Sequence, residues 1–329
     1  KSRKEKQLDL VRTIKRHSEL FRVHYHASDA KRREGVDILL EALEQLRPST
    51  PGAVGAIEAS LPTMRDNWVY GIKTERMSDI FARSLSIVSD DEDAAARILR
   101  LGIGKHLVEI VRAKGTSPKR WYWIVRAVTN MSQHIRMRSE LIKGNCLASL
   151  LACCQLAHSS GPLQYPAATE HERSEEERGN AEGDISSHKA MPDPAVSALF
   201  FDWEIIHLNQ TTAKNVALAL ERLSINKTTR SWMVSKGVFL SLKRLVTLHF
   251  FPYVLMQVAT TIENIVEERQ AARMATKEGA MLILFQLWQA TCNVKLVEAI
   301  DGGLVSSIKR KTKAAIFRIA NHRCIEALD

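Results

Sequence analysis

Gly102-Ile103-Gly104-Lys105-His106 is the stretch that comes nearest to a chemical motif. Glycine amides and a lysine at a helix start are the means by which phosphate loops cradle an anion. The spacing is not G-x-x-x-x-G-K-[ST], and no strand pattern precedes it, so a P-loop is not expected. His24 and His26 stand two apart, and on a helix such a pair does not face one ligand. No cysteine–histidine pair has zinc-site spacing, and no G-x-S-x-G elbow offers a serine nucleophile. The five cysteines (Cys146, Cys153, Cys154, Cys292, Cys324) have no framework spacing. Cys153 and Cys154 lie in a leucine-rich run, where thiols act as small buried hydrophobes in a reducing compartment. Asn130, Asn209 and Asn226 open N-x-S/T triplets, with no secretory signal to give them a use. The expectation is a cytoplasmic protein that is not an enzyme, with no cofactor, no metal and no small-molecule substrate. The first residue is Lys1, which is compatible with a cleaved organellar leader.

Charge points to partners rather than to a reaction. Lys and Arg number 47 against 37 Asp and Glu, a formal net charge of +10, which suits acidic partners or nucleic acid. Basic clusters stand at 1–6 (KSRKEK), 31–33 (KRR) and 309–313 (KRKTK). They lack interleaved aromatics and a recognition motif, which places nucleic acid behind a protein partner as an alternative. An apolar fraction of 45% and a charged fraction of 26% are those of a soluble globular chain. The most apolar stretch, LHFFPYVLMQVA at 248–259, is broken by His249 and Pro252, so no membrane span is expected.

The elements that carry these residues repeat. RILRLGIGKHLVEIV, RSELIKGNCLASLLA, RSWMVSKGVFLSLKRLV and ARMATKEGAMLILFQLW align on Gly102, Gly144, Gly237 and Gly279. The first pair and the second pair are each spaced by 42 residues. A helical segment precedes each glycine and carries an arginine: Arg97, Arg138, Arg230 and Arg273. An apolar run follows each glycine, and a third helical segment closes each unit, at 120–132, 212–224, 255–266 and 312–322; the segment at 74–88 fits the same place before the first glycine. Glycine at such a corner permits positive φ, where a Cβ would clash. One unit cannot cover its own apolar faces, so stacked units must share a core. Val258, Ile262 and Ile265 fall at helical spacing and are expected to face inward.

From about Thr74 to the C-terminus this pattern resembles the armadillo repeat, with its short first helix, glycine corner, second helix and long third helix. HEAT repeats have similar length but normally use two helices without that corner. The resemblance implies an all-α fold, a right-handed armadillo-like α-solenoid of the ARM/HEAT type, whose third helices line a groove that binds extended peptides or partner domains. Members that bind basic localisation signals carry Trp-x-x-x-Asn on the third helix. The matching pairs here are Arg126/Asn130, Leu218/Arg222 and Thr260/Asn264, which keep two asparagines and lack the tryptophans. Such a groove suits acidic rather than basic ligands. The candidate groove residues are Arg126, Asn130, Lys214, Arg222, Gln257, Asn264 and Lys313. The implied function is a non-catalytic protein-binding scaffold in a larger assembly. The irregular units are also similar to the myosin-chaperone branch, a resemblance that no motif carries.

The pattern breaks in three places. Residues 158–196, rich in Gly, Pro, Ser and Glu, read as a disordered acidic insertion between a second helix and a third. Residues 158–194 hold eight acidic and three basic side chains, a net of −5, which leaves the rest near +15. Residues 200–209 read as an amphipathic helix that packs on the resumed solenoid, and 293–303 stretch the last unit. At the other end, 1–50 read as a basic helical cap or arm and 51–73 as a linker and start of the solenoid, followed by repeats over 74–329.

Overall fold

The structure, a computed structural model, describes residues 2–23, 29–113, 117–159, 210–248, 251–292 and 302–326. Among these the regular elements are all helices. Local chemistry sets several of their starts. Thr74, Asp91, Ser117 and Asn226 each accept a backbone N–H two or three residues on, satisfying amides a helix start leaves unpaired. Pro118 and Pro252 occupy first-turn positions where no N–H is missed.

The helices fall into units. The first complete one is α5 (Glu92–Arg100), α6 (Gly104–Arg112) and α7 (Pro118–Gln133). The second is α8 (Met137–Lys143), α9 (Cys146–Ser159) and α10 (210–224). The third is α11 (Lys227–Ser235), α12 (Val238–Leu248) and α13 (Pro252–Ile265), and the fourth is α14 (Arg269–Lys277), α15 (Ala280–Cys292) and α16 (Gly302–Glu326). Upstream, α1 (Arg3–Val23), α2 (Asp29–Gln45), α3 (Ala53–Tyr70) and α4 (Glu75–Val88) extend the same stack. First helices pack in sequence (α5, α8, α11, α14), as do second helices α6, α9, α12 and α15. The third-helix row includes α2 on α4, α4 on α7, and α13 on α16. Residues 51–73 thus hold an 18-residue helix, α3, in place of much of the expected linker. One core runs through the stack, with Ile14 and Leu39 at one end and Ala315 near the other. Val258, Ile262 and Ile265 are fully buried in it, which fits their spacing.

The corners show how each unit turns. Gly102, Gly237 and Gly279 have φ of 70°, 79° and 87°. Each amide donates to the carbonyl three residues back, which caps the first helix; each carbonyl accepts from the amide three residues on, which opens the second. Gly144 differs, with φ −70°. The left-handed residue there is Asn145, φ 65°, which makes the same pair of bonds to Ile142 and from Ala148. Asparagine is the residue that visits this region most readily after glycine, so the true corner stands one place after Gly144. The second glycine of the 102–106 stretch has a packing reason: a Cβ on Gly104 would lie 2.5 Å from the Gly144 carbonyl oxygen and 2.7 Å from the Cys146 sulfur. The opening of α6 is thus pressed against the next corner, which accounts for the glycine without an anion.

Helix α9 continues to Ser159, two residues into the expected insertion, and the remainder, 160–209, lies outside the described residues. So do the expected helix at 200–209 and residues 293–301; Gly302 and Gly303 already belong to α16. Across the 160–209 stretch the stack keeps its order. Thr129 Oγ1 of α7 donates to the Asn215 carbonyl of α10 at 3.0 Å, and Arg222 of α10 donates back to the Thr129 carbonyl.

Candidate peptide-binding row

Helix C-termini leave carbonyls unpaired, and the third helices meet that need with side chains from the next unit. Arg83 of α4 donates to the Glu44 carbonyl of α2 at 3.3 Å. Asn130 Nδ2 of α7 reaches the Ser86 carbonyl and Ser89 Oγ of α4, both at 3.3 Å. Arg222 Nη1 of α10 reaches the Thr129 carbonyl of α7 at 2.9 Å. Asn264 Nδ2 of α13 donates to Ser224 Oγ at the end of α10, 3.0 Å away. Arg318 of α16 donates to the Glu263 carbonyl at 3.0 Å, and His322 Nε2 lies 3.2 Å from that of Val266. Cations placed here also complement the helix dipole.

Three of the expected groove residues, Asn130, Arg222 and Asn264, are therefore ties between third helices. Burial lowers the Arg222 pKa, while Glu221 beside it raises it. Gln257 corrects the expectation differently. It is 6% exposed, and its Oε1 is buried without a hydrogen-bond partner, because this position faces the interior.

Arg126 and Lys214 are exposed on successive third helices, and each lies against an aromatic ring. Arg126 donates to the Tyr122 hydroxyl at 3.2 Å and stands 5.9 Å from the Trp123 ring centre. Tyr122 and Trp123 themselves meet edge to face. Lys214 Nζ of α10 lies 5.5 Å from the ring centre of Tyr253 on α13. Cations over such rings gain about 0.5–1 kcal/mol each at exposed sites. Lys313 is exposed but stands apart, 5.5 Å from the Trp288 ring on the outer side of the last unit. The structure thus places cation–aromatic pairs along successive third helices, Arg126 with Tyr122 and Trp123 within α7 and Lys214 of α10 with Tyr253 of α13.

A second recurring lock was legible but unread. Arg138 Nε donates to the Ser132 carbonyl at 2.9 Å, and Arg230 Nε to the Ser224 carbonyl at 2.9 Å. Serine followed six residues on by arginine is the signal. Burial lowers the Arg138 pKa, and Arg222 adds to this. Arg120, wholly buried at the start of α7, pairs with Asp79 of α4. Burial also pushes the Cys146 and Cys154 thiols up to about 12 and Cys153 higher than its ordinary value, so none is a ready nucleophile. Among the described residues no group of three His, Cys, Asp or Glu is placed to hold a metal ion, and no helix is long and apolar enough to cross a membrane.

No protein-family model matches the chain, and no curated protein matches it. Solved structures do. A crystal structure of computationally designed armadillo repeat proteins for modular peptide recognition superposes with a TM-score of 0.53 at 13% identity, covering 95% of this chain and 99% of the other. A designed armadillo repeat protein in complex with the peptide (KR)4 gives 0.51 at 13% identity, over 95% and 99%. An engineered protein gives 0.52 at 14% identity, over 94% and 97%. At such identities the likeness speaks for fold alone: the chain is an all-α solenoid with the armadillo-like repeat fold.

Proposed function

We propose that this chain is a non-catalytic scaffold that binds an acidic peptide segment of a partner protein along α7, α10 and α13, within a larger assembly. The observation that carries the reading is the pairing of exposed Arg126 and Lys214 with Tyr122, Trp123 and Tyr253 on successive third helices. Cations recognise carboxylates, while the rings pack against an extended backbone. The designed neighbour takes (KR)4, a peptide that Arg126 and Lys214 would repel, so the ligand here is of opposite sign. Buried free thiols at Cys146, Cys153 and Cys154 and an exposed one at Cys292 fit a reducing compartment such as the cytoplasm.

Fluorescence anisotropy with an acidic peptide, with (KR)4 and with single-stranded RNA, each at two salt concentrations, tests the reading. The acidic peptide binds and weakens with salt, and Arg126→Glu with Lys214→Glu abolishes binding. Failure of the acidic peptide at low salt, together with no partner recovered by cross-linking and co-purification, would overturn it. Steeply salt-dependent RNA binding in its place would favour the nucleic-acid alternative.

A further inference from the structure

The inner units show what a unit presents to its successor. Counting from the corners Gly237 and Gly279, Phe239, Lys243 and Val246 of α12 correspond to Met281, Phe285 and Trp288 of α15. Helix α12 packs against α15, and its Phe239 and Val246 are 1% and 2% exposed. On α15, Met281 is 40% exposed, Phe285 is 56% exposed and Trp288 is half-buried. At the position where α12 carries exposed Lys243, α15 carries an aromatic ring. That is the reverse of a solenoid end, whose outer face is ordinarily polar. Met281, Phe285, Trp288, Lys313 and Ile316 together line an open cavity of about 300 Å³ between α15 and α16. Among the described residues the apolar character of the inter-unit face therefore continues onto the outer side of α15 and α16.

We propose that this end face is a docking site for one amphipathic helix of a partner protein, with an apolar ridge for the cavity and a carboxylate for Lys313. The continuity of the inter-unit interface sets the shape of the occupant, because the slot one unit earlier is filled by helices, α15 and α16. Charge sets its chemistry: Lys313 stands at the cavity, and Lys309 lies one turn before it on α16. The ridge enters as anchors at i, i+3, i+4 and i+7, the usual reading of a helix in a groove. The site is separate from the cation–aromatic row on α7, α10 and α13 and does not rest on it.

Trp288 sits in the cavity wall, and a fluorescence change that Trp288→Phe removes reports occupancy apart from the chain's five other tryptophans. The full chain is titrated with a synthetic amphipathic helix carrying a leucine ridge flanked by glutamates, and with a version flanked by lysines. The glutamate peptide binds, the lysine peptide binds more than about tenfold more weakly, and Lys313→Glu reverses that order. Phe285→Ser removes binding of both, with the melting temperature unchanged as a check on folding. Arg126→Glu with Lys214→Glu leaves this binding intact, which separates its failure from failure of the acidic-peptide row. No binding of either peptide overturns the proposal, as does equal binding of both. Concentration-dependent dimers that Phe285→Ser abolishes would assign the face to a second copy instead.

Discussion

The second unit, α8–α9–α10, and the third, α11–α12–α13, are built alike but joined differently. In the third, residues 249–251 separate the second helix from the last; in the second, residues 160–209 intervene. The corners differ too, Asn145 against Gly237. Yet the arginine lock is the same to the tenth of an ångström, and both third helices tie back to the helix before. Register is thus carried by packing and by a few directed hydrogen bonds, while chain continuity contributes little.

Matched substitutions in the two units test that equivalence. The largest effect is in the core. Leu220→Ala in α10 and Ile262→Ala in α13, both fully buried, should each cost about 2–5 kcal/mol in urea unfolding. A much smaller loss at Leu220 would mean that α10 is not docked as α13 is. Next come the locks. Arg138→Met and Arg230→Met each strand a helix-end carbonyl and should cost about 1–3 kcal/mol, with the larger loss at Arg230, which also pairs with Glu267; a smaller loss at Arg230 would break the parallel. The corners should respond in opposite senses. Gly279→Ala, at φ 87°, costs about 1 kcal/mol or more, whereas Asn145→Gly, at φ 65°, is neutral or stabilises by up to about 1 kcal/mol by melting temperature.

The smallest contrast depends on pH. Burial raises the Glu221 pKa, with Lys311 and Arg222 opposing it. Above that raised value Glu221 is ionised in both states and penalised only when folded, so Glu221→Gln should raise the melting temperature slightly at neutral pH. Below 4.5, the ordinary value, the side chain is protonated folded or unfolded, and the gain should vanish. Glu263, its counterpart in α13, pairs with Lys311 at 3.2 Å. Glu263→Gln should therefore lower stability at neutral pH, by about 0.5–1 kcal/mol given the partial exposure. A rise in both variants would show that the two carboxylates share one environment.

Much of this architecture was legible because helix periodicity and corner glycines are local. Gly102, Gly237 and Gly279 marked true corners, and the apolar spacing of Val258, Ile262 and Ile265 gave their buried face. Gly144 misled by one place, because asparagine can take the same backbone conformation and an alignment on glycine cannot see it. The candidate site was read less well. Whether Asn130, Arg222 and Asn264 meet a ligand or the neighbouring helix depends on the approach of a unit some forty or more residues away, which no local pattern encodes. Gln257 read as surface by its type, yet its place on α13 turns it inward. Tyr253 met Lys214 only once α10 and α13 stood side by side, whereas Tyr122 and Trp123 stand one turn from Arg126 on α7 and were within reach of a local reading.

Most ties along the third helices point the same way; the Thr129 hydroxyl of α7, which donates forward to the Asn215 carbonyl of α10, is the exception. Asn130, Arg222, Asn264 and His322 each reach back toward the N-terminus, so the stack has a grain. Peeling a unit from the C-terminal end uncovers the final carbonyls of the unit before it. Peeling one from the other end leaves mainly loose side chains that water can serve, and at α10 takes the Thr129 hydroxyl from the Asn215 carbonyl. Loosening at α16 should therefore strand carbonyls at the end of α13, whereas loosening at α13 costs α16 only the partners of the Arg318 and His322 side chains.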